Sequence, residues 1–187
     1  LLGPWVAAAT VLGLFLAWGY SAPPLRFKLN GWYGNLAVGL SYEGLAWVCG
    51  AAVLLGGQLP AMPVLLLALL YSLGAHGIMT LNDFKSIEGD RKIGIRSLPA
   101  QFGADVAARL ACAVMAGAQL VVIGLLLYWD RPLFAAGILL SLALQGLAMR
   151  RLLTDPLGLA PWYNGTGVTL YVLGMLLSAV AVSGGVH

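Results

Sequence analysis

The sequence predicts an all-α fold, a polytopic transmembrane helical bundle, from two observations. Of the 187 residues, 60% are hydrophobic and 9% are charged, a balance outside the range of soluble domains. The mean hydropathy is +0.90, and the apolar residues form nearly continuous stretches, whereas the strands of a membrane β-barrel would alternate. We therefore expect residues 1–187 to form a single transmembrane domain in the lipid bilayer.

Six apolar stretches are long enough to cross a bilayer. The first, Gly3–Tyr20, ends where Pro23 and Pro24 stop the helix. The second covers Gly34–Gly56, and the third, Pro63–Asn82, runs directly into a charged segment. The last three cover Ala104–Trp129, Pro132–Met149 and Trp162–Ser183. The sequence thus predicts six membrane-spanning helices.

The basic residues indicate how these helices are oriented. The chain has ten Lys and Arg residues, and all except Arg131 lie in or next to the loops that follow the first, third and fifth helices. Because cytoplasmic loops are enriched in Lys and Arg, we expect these loops to face the cytoplasm. A net charge of +3 spread over several loops does not indicate a nucleic-acid partner.

One charged stretch, Thr80–Gly103, separates the apolar stretches on either side of it. Asp83, Ser86 and Asp90 are spaced so that one face of a helix would carry all three side-chain oxygens. Mg²⁺ is usually held by one or two carboxylates together with phosphates of the substrate. The spacing therefore predicts a magnesium and phosphate site in the cytoplasmic segment 83–103, although a solvated charged loop would have a similar composition.

Basic side chains flank this segment and the loop after the first helix. Arg91 and Arg96 follow the acidic pair, and Arg26 and Lys28 lie beside the Pro23–Pro24 turn. Such cations hold the oxygens of a diphosphate with charge-assisted hydrogen bonds. Contact with lipid headgroups is the alternative explanation for the basic residues of the first loop.

Two further polar residues lie within predicted spans. Glu43 falls inside the second span, where a carboxylate costs about 2.5–3.5 kcal/mol on insertion scales. It indicates either a function or a carboxylate that reaches headgroup water. His76 lies on the helical stripe that Asp83 and Asp90 share, where it would line a cavity, bind a metal of a substrate or donate a hydrogen bond to a neighbouring helix.

Two segments resemble the UbiA-type intramembrane prenyltransferases. The segment Asp83–Ser97, DFKSIEGDRKIGIRS, is similar to the second aspartate-rich motif of that family. The segment Tyr20–Trp32, YSAPPLRFKLNGW, is similar to the loop after the family's fourth helix. Together with Asn82 before the motif, these segments look most like the chlorophyll and bacteriochlorophyll synthase branch, and Ser41–Leu45, SYEGL, favours the bacteriochlorophyll side.

The resemblance implies a nine-helix α-bundle in which two aspartate-rich loops bind a prenyl diphosphate through Mg²⁺. This chain would start at helix four and would lack the first aspartate-rich motif. It begins at Leu1 without a methionine, so we interpret it as a fragment and expect the piece alone to be inactive. Ser86 stands where many members have the first aspartate of an Asp-x-x-x-Asp pair, and Asp83 would supply that carboxylate.

The implied reaction is esterification of the propionate of a (bacterio)chlorophyllide by geranylgeranyl or phytyl diphosphate. The resemblance assigns Asp83 and Asp90 to Mg²⁺, with Ser86 or Glu88 as a further candidate ligand. The residues implied to contact the diphosphate are Arg91, Lys92, Arg96, Arg26 and Lys28. The candidates on the acceptor side are Glu43, His76, Tyr20 and Asn82.

The implied location is the bacterial cytoplasmic or intracytoplasmic photosynthetic membrane, with other pigment-biosynthesis or photosynthetic membrane proteins as partners. One alternative keeps the superfamily and changes the acceptor to a quinone precursor or haem. Another is a membrane transporter or a non-catalytic assembly subunit, in which Glu43 and His76 would form a proton or substrate path. The charged stretch would then act as a gate.

Overall fold

The structure is a computed structural model that describes residues 2–184. Within that range the chain is helical, and its β-type pairing is confined to an isolated bridge between Asn30 and Arg96. Six helical segments are long and apolar enough to cross a membrane, as the sequence predicts. They are Pro4–Ser21 (α1), Gly31–Leu54, Met62–Ile93, Ala104–Tyr128 (α7), Pro132–Leu152 (α8) and Pro156–Ser183 (α9).

The second span is not a uniform α-helix. It consists of α2 (Gly31–Gly39), a π-helical turn (Leu40–Leu45) and α3 (Ala46–Leu54), and Glu43 lies in the π-helical turn. A Cβ added at Gly39 would lie 2.6 Å from the backbone oxygen of Ser72. This glycine therefore lets the second span pack closely against the third.

The third span continues into the charged stretch through three short elements. After α4 (Met62–Asn82) the chain makes a 3₁₀ turn at Asp83–Ser86 and then forms α5 (Ile87–Ile93). Gly94, with φ of 76°, ends α5, and the short α6 (Leu98–Phe102) leads into α7. The predicted single helical face is thus broken by the 3₁₀ turn.

Two helix starts differ from the predicted positions because polar side chains cap them. The Asn30 side-chain oxygen accepts hydrogen bonds from the backbone N–H groups of Trp32 and Tyr33, so α2 starts at Gly31. The Asp155 side chain accepts from Gly158 N–H at 3.0 Å, so α9 starts at Pro156 and includes Pro161.

The core lies between α4, α7, α8 and α9. Several buried polar side chains are paired there, as an apolar interior favours. Gln145 accepts from Gln119 and donates to the Tyr163 hydroxyl at 3.1 Å, which joins α7, α8 and α9. The hydroxyl groups of Tyr71 and Ser178 lie 2.7 Å apart and join α4 to α9.

The loop after α1 is tied to the charged stretch by backbone hydrogen bonds. Gly31 N–H donates to the Arg96 carbonyl at 2.8 Å, and Arg96 N–H donates to the Leu29 carbonyl at 3.0 Å. These bonds bring two segments far apart in sequence together at one end of the bundle. That end carries the residues that the sequence analysis singled out.

Candidate active site

Two adjoining cavities lie at this end of the bundle. The larger, of about 710 Å³, has apolar walls formed by residues such as Leu16, Val38 and Met79, and it ends at Asn82, Asp83, Lys85 and Ser86. The smaller, of about 180 Å³, is lined mainly by polar residues. The cavities meet at residues that line both of them, namely Tyr20, Asn35, Asp83 and Ser86.

Asp83 and Asp90 both line the smaller cavity, although the 3₁₀ turn between them breaks the single helical face that their spacing predicted. Asp90 is 8% exposed, and its Oδ2 accepts hydrogen bonds from the hydroxyl groups of Ser97 at 2.6 Å and Ser86 at 3.1 Å. Its Oδ1 has no hydrogen-bond partner among residues 2–184. The two serines thus orient Asp90 and leave one carboxylate oxygen available to a ligand.

These residues fit a hard divalent cation. Two carboxylates that face one small cavity repel each other unless a positive charge lies between them. Among residues 2–184 no group of three or more His, Cys, Asp or Glu side chains is placed to hold a metal by itself. The site therefore suits an ion such as Mg²⁺, which keeps several waters or substrate phosphates as ligands.

The structure brings Lys28, but not the other predicted phosphate-contacting residues, to the cavities. Lys28 lines the smaller cavity, and Lys85, which the sequence analysis did not assign to the site, lines the larger one. Arg91 donates from Nε to the carbonyl of Ala100 at 3.2 Å. The residues that are exposed and lie outside the linings of both cavities are Arg26, Arg91, Lys92 and Arg96.

The acceptor-side candidates occupy different positions. Tyr20 lines both cavities, and Asn82 lines the larger one. Glu43 and His76 lie outside both linings. His76 is buried, its ring centre lies 5.4 Å from that of Trp32, and its Nε2 has no hydrogen-bond partner in the described chain.

Glu88, the alternative ligand to Ser86, is exposed and lies outside both linings. Ser86 lines both cavities and donates to Asp90. The structure therefore places Ser86 beside the acidic pair and Glu88 on the outer surface of α5.

Besides Lys85, sequence reasoning missed Asn35 and Ser97, which also line the cavities. Asn35 is 6% exposed, lines both cavities and donates to the Thr80 hydroxyl at 3.1 Å. An asparagine in an otherwise apolar span is a signal that could have identified it, because buried amides in membranes find polar partners. Ser97 gave no comparable local signal, since its contact with Asp90 depends on the turn after α5.

The fold and the site define a class of integral membrane proteins in which an apolar cavity within a helical bundle ends at paired carboxylates. Residues 1–164 match the UbiA prenyltransferase family, and the chain belongs to that family. The resemblance found in the sequence is thereby confirmed.

The chain is also similar to named proteins over almost its whole length. It is 57% identical over 184 residues to the bacteriochlorophyll synthase 33 kDa chain of Cereibacter sphaeroides, covering 98% of this chain and 61% of that protein. It is 47% identical to the bacteriochlorophyll synthase 34 kDa chain of Chloroflexus aurantiacus, covering 97% of this chain and 58% of that protein. It is 39% identical to the chloroplastic chlorophyll synthase of Oryza sativa, covering 96% of this chain and 47% of that protein. The chain thus spans about half to three fifths of the length of these relatives.

A solved structure shares the fold. It comes from work on digeranylgeranylglyceryl phosphate synthase in membranes and superposes with a TM-score of 0.71, covering 96% of this chain and 62% of that one. The two sequences are 22% identical, so this likeness bears on the fold alone.

Proposed function

We propose that the chain forms the greater part of a bacteriochlorophyll or chlorophyll synthase. Such an enzyme esterifies the propionate of a (bacterio)chlorophyllide with a geranylgeranyl or phytyl diphosphate. The observation that carries the proposal is the 57% identity, over 184 residues, with a bacteriochlorophyll synthase chain. On this proposal the six membrane-spanning helices correspond to helices four to nine of a nine-helix fold.

The diphosphate of the donor would bind at the smaller cavity. UbiA prenyltransferases generally depend on a divalent metal, and Asp83 and Asp90 are the residues that would hold Mg²⁺ here. When bound, Mg²⁺ supplies positive charge that offsets the negative charge of the departing diphosphate. Lys28 in the smaller cavity and Lys85 in the larger would add charge-assisted hydrogen bonds to the phosphate oxygens.

The larger cavity suits the prenyl chain of the donor. Its walls are apolar along Leu16, Val38 and Met79, and it meets the smaller cavity at Asp83. A prenyl chain in this cavity would bring its C1 carbon to the carboxylates. The apolar walls would also exclude water, which would otherwise capture the allylic carbon.

The transfer itself needs little from the side chains beyond position and charge. The C1–oxygen bond to diphosphate breaks, a propionate oxygen of the acceptor forms a bond to C1, and diphosphate leaves with the electron pair. A carboxylic acid is already ionised at neutral pH, so the reaction does not require a strong base. The contribution of the protein is therefore orientation and stabilisation of the leaving group.

We place the cavities on the cytoplasmic side of a bacterial cytoplasmic or intracytoplasmic photosynthetic membrane. The concentration of Lys and Arg in the loops at that end supports this sidedness. The names of the relatives support a pigment-producing membrane, in which other pigment-biosynthesis or photosynthetic proteins would be partners.

The test is an esterification assay with the full-length protein in detergent, including any residues that precede Leu1. Bacteriochlorophyllide, geranylgeranyl diphosphate and Mg²⁺ are added, and the ester is detected by mass. We expect an ester that disappears with EDTA and falls at least about a hundredfold in Asp83→Ala, since that change removes a metal ligand. Glu88→Ala, on the outer surface of α5, is the control and should retain activity.

Prenylation of a quinone precursor in place of bacteriochlorophyllide would contradict the proposed acceptor, but it would still support a prenyltransferase activity. Absence of transfer to any acceptor would contradict the enzymatic function. It would favour a transporter or an assembly subunit.

A further inference from the structure

A pair of amide side chains joins the last membrane helix to the charged stretch. Asn164 of α9 donates from Nδ2 to Oδ1 of Asn82, 2.9 Å away and 82 residues earlier in the chain. Asn82 is the last residue of α4, directly before Asp83, and it lines the larger cavity where that cavity becomes polar. The pair therefore lies at the junction between the apolar and polar parts of the site.

The orientation of this pair follows from burial. Asn164 Oδ1 is buried and has no hydrogen-bond partner among residues 2–184. If both amides were rotated by half a turn, the buried position would hold an NH₂ group with two unsatisfied donors. Orphaned N–H groups are rarer in proteins than under-satisfied carbonyl oxygens, so the observed orientation is the favourable one.

Fixing one end of the Asn82 carboxamide fixes the other end. The group is planar, so a hydrogen bond to Oδ1 determines the direction of the NH₂ group. This Nδ2 has no hydrogen-bond partner in the described chain, and Asn82 borders the cavity together with Lys85 and Ser86. Asn82 is thus left with a donor group beside the cavity, where it suits an anionic oxygen.

We propose that Asn164 is a positioning residue that holds the Asn82 carboxamide so that its Nδ2 donates to an anionic oxygen of the substrate. That oxygen belongs either to the diphosphate of the donor or to the carboxylate of the acceptor. The inference rests on the proposed function and extends it by assigning α9 to the substrate site. Asn164 itself lies outside the linings of both cavities, so it acts through Asn82.

The test reverses the polarity of the pair. In Asn164→Asp the side chain accepts hydrogen bonds only, so Asn82 turns its NH₂ group toward residue 164 and presents its oxygen to the substrate. We expect the KM of the affected substrate to rise about tenfold, the scale of a hydrogen bond to a charged group, with kcat changed less than about threefold. Asn164→Leu, which frees the carboxamide without adding charge, should give a smaller rise of the same KM.

A double-mutant cycle separates positioning from a general structural effect. Because Asn164 acts through Asn82, Asn164→Asp should have no further effect on KM once Asn82→Ala is present. A tenfold rise that persists in the Asn82→Ala background would overturn the proposal. Thr166→Ala is the control on the same helix, since the Thr166 hydroxyl donates to the Trp162 carbonyl within α9, and it should leave KM unchanged.

Binding measurements identify the oxygen and do not depend on turnover. Tryptophan fluorescence measures the affinity of wild type and Asn164→Asp for inorganic pyrophosphate with Mg²⁺ and, separately, for bacteriochlorophyllide. The two proteins are compared where their melting temperatures match. Weaker pyrophosphate binding in Asn164→Asp assigns the contact to the donor, and weaker bacteriochlorophyllide binding assigns it to the acceptor. If neither affinity changes, the proposal is wrong. If the wild-type protein binds pyrophosphate but forms no ester, the proposed function is contradicted. The pyrophosphate affinities of wild type and Asn164→Asp still decide the role of Asn164 in that case.

Discussion

Asp90 shows how the site is organised at the scale of single residues. Its carboxylate is buried and is held by two hydroxyl groups, of which the Ser97 hydroxyl at 2.6 Å is the closer. Hydrogen bonds of this kind fix a carboxylate in one orientation before a ligand arrives. The spacing of the carboxylates in the sequence predicted a role for them, whereas the contact of Ser97 with Asp90 became visible only once the turn after α5 was known.

Ser97→Ala should weaken metal binding without removing a ligand. Loss of an outer-shell partner costs about tenfold in metal affinity, so we expect a higher Mg²⁺ concentration at half-maximal effect. The measurement is the rise in melting temperature of the purified protein as Mg²⁺ is titrated. Thr154→Ala, whose exposed hydroxyl donates to the Arg151 carbonyl, is the control. Equal Mg²⁺ titrations for Ser97→Ala and wild type would show that Ser97 does not support the metal site.

At the scale of elements, the decisive junction joins the loop after α1 to the charged stretch. A Cβ added at Gly31 would lie 2.7 Å from the backbone nitrogen of Leu98 and 3.1 Å from the carbonyl oxygen of Arg96. Only glycine permits this approach, which lets Lys28 and Asp90 line the same cavity. The junction thus converts two separate loops into one polar site.

Gly31→Ala should therefore destabilise the fold at this end. Overpacking of this kind costs about 1–3 kcal/mol, so we expect a lower melting temperature and weaker binding of pyrophosphate. The matched control is Gly50→Ala, since among the described residues a Cβ at Gly50 in α3 meets nothing within 4 Å beyond its chain neighbours and the nearby backbone of its own helix, and alanine favours the helix. A melting temperature equal to that of the control would contradict the close contact seen at Gly31.

The sequence predicted the elements better than it predicted their contacts. The six spans were found because a bilayer demands long apolar stretches, which composition alone reveals. The π-helical turn around Glu43 was missed because its residue pattern does not distinguish a π-helical turn from an α-helical one. Several cations were assigned to the site because they are near it in sequence, yet Arg91, which donates to the Ala100 carbonyl, and Arg96 lie outside the linings of both cavities.

At the scale of the whole molecule, the bundle has a tightly packed side and an open side. Helices α7, α8 and α9 are joined by buried polar contacts through Gln119, Gln145 and Tyr163. By contrast, the buried residues of α1 are Ala9 and Gly19, and α1 forms one wall of the larger cavity. This division separates a closely packed set of helices from the wall that would contact the prenyl chain.

If the proposed function is correct, Ala17→Phe should make the enzyme prefer a shorter donor. Ala17 lines the larger cavity on α1, so a phenyl ring there occupies space that the proposed C20 chain would use. We expect kcat/KM for geranylgeranyl diphosphate to fall about tenfold, as expected for a clash in an apolar pocket, while the value for the shorter geranyl diphosphate changes little. Val11→Phe, at a position on α1 that is 67% exposed and outside the lining, is the control and should affect neither donor. An equal loss with both donors would mean that the substitution disturbs the fold or the diphosphate site. In that case the larger cavity would not be the site that determines which prenyl chain length is preferred.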